Sequence, residues 1–411
     1  MKNAQAKKAK SEVFIRKFAR IYTPVVTILA FLVVAFPYFI SLIHPAFIYH
    51  FEEWLYRALV FLVISCPCAL VISVPLSYFA GIGAASRQGI LFKGGNYLET
   101  IKNVNVVAFD KTGTLTTGQF SVVEAHPENY LDKNQMLSLM ASAESESTHP
   151  LAKAIVKYVK EFGINIPKAE SMHEVAGKGT KAEIEGKIVL AGNLKLLKEA
   201  GISYPEALNT NSSTIVVLAI NGKFAGYVML QDMPKSDSAE TVKDLHNLGV
   251  DQVVMLSGDR KEIVNKYAGI LGITHAYGEL LPQDKAEYVE KISTTPGKNI
   301  AFVGDGMNDA PVLAISNVGV AMGGLGSDAA IESADIVIQT DKPSKVATAI
   351  KIGRYTHMIV MQNIIGALVI KVTILTLGII GFASLWAAVF ADVGVTMLAV
   401  LNSMRVLWHK Y

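Results

Sequence analysis

Cysteine and charge are both scarce in this sequence. Two cysteines occur among 411 residues, so no framework of disulfides holds the chain together. Cys66 and Cys68 stand too close for an ordinary disulfide and lie in an apolar run. That favours free thiols in a reducing compartment, with a ligand role. Charged residues are only 18% of the chain and the net charge is +3. Such a small, mixed balance gives no support to nucleic acid as a partner, and none is expected. Met1 is followed by a polar, Lys-rich stretch instead of a short apolar core, so no signal peptide is expected. Low-complexity tracts and internal repeats are also lacking.

Apolar residues take the place of charge, at 51% of the chain. Runs long enough to cross a bilayer occur at Ile21–Ile43, Leu55–Phe79, Met358–Phe382 and Leu385–Leu407. The link His44–Trp54 contains Glu52 and Glu53 but no Lys or Arg, and the second pair of runs has almost no loop. Basic residues gather at the other ends: Lys7, Lys8, Lys10, Arg16, Lys17 and Arg20, then Arg87 and Lys93, Lys351 and Arg354, Arg405 and Lys410. The asymmetry predicts a multi-pass protein of the cell membrane, with both termini and residues 84–357 cytoplasmic.

The segment between the two apolar pairs reads as α/β. Val104–Phe109, Val253–Leu256 and Ile300–Val303 are short apolar runs, as buried parallel strands should be. They end at Asp110, at Ser257-Gly258-Asp259 and at Gly304-Asp305-Gly306. Three strands delivering polar residues at their C-terminal ends predict a doubly wound parallel sheet with a site along that edge. Residues 121–230 differ in character. A helix-like stretch, Leu151–Phe162, precedes Gly-punctuated strand signals at Lys187–Ala191, Thr214–Ile220 and Phe224–Leu230, which reads as an inserted α+β domain. The expected organisation is a lead-in (1–20), a transmembrane hairpin (21–83), a connector with the first part of the sheet domain (84–120), the insertion (121–230), the rest of the sheet domain (231–350) and a C-terminal hairpin (351–411).

The chemistry sits at the strand ends. Asp110 opens the run Asp110-Lys111-Thr112-Gly113-Thr114-Leu115-Thr116, where a carboxylate meets turn and hydroxyl residues. It is placed to attack phosphorus while backbone N–H groups hold the other oxygens. Thr112 supplies no carboxyl for rapid hydrolysis, so an aspartyl phosphate should persist. Asp305 and Asp309, two carboxylates close together at another strand end, form a hard-oxygen site suited to Mg²⁺. Lys285 can neutralise phosphate charge, and Ser257 offers a hydroxyl.

The run Asp110–Thr116 closely resembles the phosphorylation signature of P-type ATPases, and Gly304–Pro311 resembles their Mg²⁺ and hinge signature, both on a haloacid dehalogenase-like sheet. Ser257 stands where the family usually has Thr and keeps the hydroxyl. The resemblance implies ATP-driven cation translocation. It assigns catalytic roles to Asp110, Lys111, Thr112, Ser257, Gly258, Asp259 and Lys285, with Mg²⁺ as cofactor and Thr112, Asp305, Asn308 and Asp309 around Mg²⁺ and phosphate. Glu144, His149, Gly177, Gly179 and Asn193 fall where the heavy-metal branch has its ATP-binding residues. By resemblance, Glu144 and His149 orient the adenine and the Gly177–Gly179 turn admits it closely.

Cys66-Pro67-Cys68 lies in mid-membrane. Proline opens the helix and frees a carbonyl beside two thiols, a donor set for soft or borderline cations. Lys371 and Asp392 are ionisable residues deep in the third and fourth runs, where charge marks function. Asp392 adds an anionic oxygen to two thiolates, which suits a divalent ion, and Lys371 is expected to pair with it when the site is empty. The pattern is similar to exporters of Zn²⁺, Cd²⁺ and Pb²⁺. The Tyr-Asn and Met-Ser-Ser patterns of the copper branch do not appear. A complete pump of this type also has an actuator domain with a Thr-Gly-Glu loop, which this sequence lacks. The chain is therefore expected to correspond to a C-terminal portion, partnered by a separately encoded or missing N-terminal part. Two other functions compete: a membrane-tethered haloacid dehalogenase-type phosphatase, disfavoured by Thr112, and a non-catalytic metal- or nucleotide-binding subunit.

Overall fold

A computed structural model describes residues 10–44, 47–210, 214–323, 328–380 and 384–411. The first nine residues of the lead-in, including Lys7 and Lys8, and the turn between the last two apolar runs lie outside the described residues.

Five long helices carry the four apolar runs. Lys10–Ile43 contains the first, and within Arg20–Ile43 only Ala30 and Pro37 are buried. The second run is split: one helix, Phe51–Ser65, stops before Cys66-Pro67 and another, Cys68–Arg87, restarts immediately. Proline cannot donate to the turn behind it, so the break falls where the sequence predicts. Ser344–Ile380 and Leu385–Trp408 carry the third and fourth. The exposed faces of these helices hold large apolar side chains such as Phe31, Phe39, Val372 and Phe390. That is the surface a helix shows to lipid.

The sheet domain contains seven strands, ordered Ile90–Phe92, Ile336–Ile338, Val318–Met322, Ile300–Gly304, Val106–Asp110, Gln252–Leu256 and His275–Tyr277. All neighbours are parallel except the edge pair of Ile90–Phe92 with Ile336–Ile338. Val106–Asp110, Ile300–Gly304 and Val318–Met322 are buried along their whole length. Helices cover both faces, so these strands read as continuous apolar runs. The adjacent strands Ile300–Gly304, Val106–Asp110 and Gln252–Leu256 run parallel, which puts Asp305, Asp110 and Ser257 on one edge.

A second, antiparallel sheet has the order Thr116–Pro127, Lys223–Pro234, Thr214–Ile220, Lys187–Gly192, Gly179–Ile184 and Ser171–Val175. Gly179–Ile184 alternates buried and exposed, as a sheet covered on one face requires. Helices Lys133–Ala143 and Pro150–Glu161 supply the cover through Met136, Met140 and Ile155. The chain enters and leaves this unit side by side: Thr116 pairs with Pro234. Tertiary packing, not pattern, decides Thr116–Pro127, whose mixed polar sequence gave no strand signal.

Candidate active site and metal centre

Asp110 ends its strand, and the next five residues, Lys111–Leu115, form a tight turn in which Gly113 adopts φ +74°. Only glycine takes that conformation without strain. A Cβ there would lie 1.8 Å from Asp305 Oδ2, so the missing side chain is what lets the loop reach the second strand end. Lys285, from the helix Pro282–Ser293, places Nζ 2.5 Å from Asp110 Oδ1 and 3.2 Å from Asp309 Oδ1. Carboxylate oxygens of Asp110, Asp305 and Asp309 lie within 4.8 Å of one another.

Electrostatics says what this cluster lacks. Burial, then the neighbouring Asp309, pushes the Asp110 carboxyl up to about 7, although the Lys285 ammonium pulls it down. Burial and Asp309 likewise push Asp305 up to about 6. Burial depresses Lys285, but the carboxylates of Asp110 and Asp309 outweigh it and hold the ammonium above its ordinary value. An ion pair alone would lower Asp110; burial first, and then the neighbouring carboxylates, outweigh it and reverse the sign. The site is short of positive charge and presents hard oxygen donors, which fits Mg²⁺.

The remaining predicted residues divide. Ser257 is buried, and its Oγ accepts from the Asp259 N–H at 3.1 Å. Gly258 packs near the Leu280 carbonyl, while Thr112 and Asn308 are exposed at the mouth. Lys111 does not join Asp110. Its ammonium pairs with Asp259 and lies 5.1 Å from the centre of the Tyr267 ring.

In the inserted unit, Asn193 caps the helix Leu194–Glu199 and donates from Nδ2 to the Gly177 carbonyl at 3.0 Å. A Cβ on Gly179 would lie 2.1 Å from the Ala191 carbonyl. Glu144 is buried beside Thr180, and burial followed by Glu174 pushes its carboxyl up to about 7. Glu144, Gly177, Gly179 and Asn193 are thus tied to one corner of the sheet. His149 is exposed and caps Pro150–Glu161, its Nδ1 accepting from the Leu151 N–H at 3.2 Å.

At the break in the second run, Cys66, Cys68 and Asp392 bring their ligand atoms within 4.8 Å of one another. One expectation is corrected here: Cys66 and Cys68 are joined as a disulfide. The turn at Pro67 holds their Cα atoms 5.5 Å apart, inside the range a disulfide spans. Sequence separation alone was a poor guide because the helix is broken. Thiolate ligation requires the reduced pair. Lys371 Nζ lies 3.0 Å from Asp392 Oδ1 and also donates to the carbonyls of Ile64, at 3.1 Å, and Cys66. Tyr22, which carried no signal in the sequence, donates to the Ser65 carbonyl. The carbonyls freed at the helix end are therefore satisfied by side chains. Arg57, an ionisable residue of the same run that sequence reasoning passed over, stacks over Trp54 at 4.6 Å.

Residues 104–316 match the haloacid dehalogenase-like hydrolase family. The chain is 47% identical to a cadmium, zinc and cobalt-transporting ATPase of Bacillus subtilis, covering 100% of this chain and 58% of the relative. It is 46% identical to a zinc-transporting ATPase of Synechocystis, over 99% of this chain and 55% of that one. The crystal structure of a zinc-transporting PIB-type ATPase in its E2.Pi state superposes with a TM-score of 0.85 at 37% identity, covering 99% of this chain and 66% of that structure. The chain thus spans 55–58% of the length of these two curated relatives.

Proposed function

The chain belongs to the heavy-metal branch of the P-type ATPases, and from that membership we propose that it carries the phosphorylation and metal-binding core of an ATP-driven exporter of Zn²⁺ or Cd²⁺. Pb²⁺ falls within the same donor preference. The observation that carries the reading is the meeting of Asp110, Lys285, Asp305 and Asp309 at one sheet edge, with the loop Lys111–Leu115 wrapped over it.

In this reading an Asp110 carboxylate oxygen bonds to the γ-phosphorus of ATP as the bond to ADP breaks. Lys285 draws the acceptor carboxylate into place and offsets charge on the phosphoryl group. Asp305 and Asp309 would hold Mg²⁺, which when bound supplies the positive charge this acidic cluster lacks. Thr112 leaves the acyl phosphate without a neighbouring carboxyl base, so the intermediate lasts long enough to be coupled to movement. Glu144, Gly177, Gly179 and Asn193 form the nucleotide corner, with His149 at its rim. Reduced Cys66 and Cys68 with Asp392 bind the transported ion, and Lys371 neutralises Asp392 once that ion has left. A multi-pass arrangement with the sheet domains on the cytoplasmic side follows from the placement of basic residues.

The test is to incubate the purified chain with γ-labelled ATP and Mg²⁺, quench in acid and map the label. An acyl phosphate on the peptide containing Asp110, absent in Asp110→Asn, is expected. Label on another residue, or equal label in Asp110→Asn, contradicts the proposal.

A further inference from the structure

The segment that returns from the inserted unit does more than close the sheet. Its Lys235 N–H donates to the Leu115 carbonyl at 2.9 Å, and Ser238 Oγ donates to the same carbonyl at 2.7 Å. Lys235 Nζ then reaches under the phosphorylation loop and donates to the Gly113 carbonyl at 2.6 Å. The same ammonium pairs with Asp341 Oδ1 at 2.9 Å, and the lysine side chain is only 8% exposed.

Each partner is itself constrained. Gly113 has φ +74° and no room for a Cβ beside Asp305, so its carbonyl direction fixes the Gly113–Thr114 peptide. Asp341 has φ +55°, a left-handed conformation that costs a non-glycine residue energy and persists only when its surroundings hold it. Three residues on, the Ser344 N–H donates to Asp237 Oδ2 at 3.0 Å, where the helix Ser344–Ile380 begins. That helix carries Lys371 into the membrane. A lysine this buried is costly unless fully paired, and here its donors are spent on the loop beside Asp110 and on the root of the membrane helix.

We propose that Lys235 is a positioning residue for phosphoryl transfer: it locks the Gly113–Thr114 peptide and so holds the Lys111–Leu115 loop in place beside Asp110, with Asp341 as its anchor. The inference rests on Asp110 being the acceptor, as proposed above.

The experiment measures the initial rate of acid-stable labelling from γ-labelled ATP in the full chain, across ATP concentrations, for wild type, K235M, K235R and D341N. Misplacing a preorganised loop by a fraction of an ångström slows transfer without touching the nucleotide corner. K235M is expected to lower the saturating rate about tenfold or more, with half-saturating ATP unchanged within about twofold. K235R, which keeps the charge and donors, is expected to recover most of the rate. D341N keeps the lysine, removes its anchor and spares the core if K235M folds poorly; it should slow labelling in the same way. Wild-type rates in both K235M and D341N would overturn the proposal, as would a loss that K235R fails to recover or one expressed in half-saturating ATP. An unlabelled wild type would instead refute the assignment of Asp110.

Discussion

Replacing Glu144 by glutamine isolates one buried charge in the inserted unit. The carboxyl is buried and stands at about 7 against an ordinary 4.5, through burial first and then repulsion from Glu174. At about 1.4 kcal/mol per unit, holding it ionised costs the folded domain about 3 kcal/mol. The folded state grips the proton more tightly than the unfolded chain does. Stability from this group is therefore complete below about pH 4.5 and is lost as pH rises through about 7. Glutamine is neutral throughout and nearly isosteric, and it can still meet Thr180. Glu144→Gln should gain up to about 3 kcal/mol over wild type at pH 8, only about 0.8 kcal/mol at pH 5 and almost nothing at about pH 3.5. All three tryptophans, Trp54, Trp386 and Trp408, lie in the long apolar helices, so their fluorescence is blind to this domain. Hydrogen exchange of the amides in Lys133–Ala143 reads it directly, with both proteins compared at each pH so that intrinsic rates cancel. Equal protection at pH 8, or a variant protected less than wild type there, would refute the reasoning.

Other perturbations probe the two strand-end sites and the membrane pair. Gly113→Ala puts a methyl onto Asp305 and forces alanine to φ +74°, a conformation costing about 1–2 kcal/mol. The Mg²⁺ concentration for half-maximal labelling should rise about tenfold, and an unchanged Mg²⁺ dependence would show that the loop and Asp305 move independently. Lys371→Met leaves Asp392 unpaired at a site where both side chains are at most 15% exposed. Breaking such a pair costs about 3–5 kcal/mol, read as a lower melting temperature by the membrane tryptophans. K371M/D392N should regain most of that loss, and a double variant as unstable as K371M would count against the pairing.

Much of this molecule was legible because burial on both faces leaves a clear trace. Val106–Asp110, Gln252–Leu256 and Ile300–Gly304 are apolar runs closed by polar residues, and they appear as strands within two residues of where the sequence puts them. Ile90–Phe92, His275–Tyr277 and Ile336–Ile338 were invisible, since three residues cannot display a period. Asp110, Asp305 and Asp309 declared themselves through strand-end position and through motifs. Lys235 did not, because a lysine after Met-Pro reads as a solvated loop residue, and only the fold brings it to Gly113 and Asp341. The bonded state of Cys66 and Cys68 was misjudged for a related reason. Spacing in the chain does not fix the distance between two side chains once Pro67 has broken the helix between them.

The central claim is that Asp110 and the Cys66–Cys68 site belong to one machine. The most direct test follows labelling of Asp110 from ATP in the reduced, full chain while Zn²⁺ or Cd²⁺ is titrated, with C66A/C68A as the comparison. The account predicts labelling that rises with metal, disappears in C66A/C68A and returns neither with Mg²⁺ nor with more ATP. Labelling that ignores the metal, or persists at the wild-type level in C66A/C68A, would contradict it.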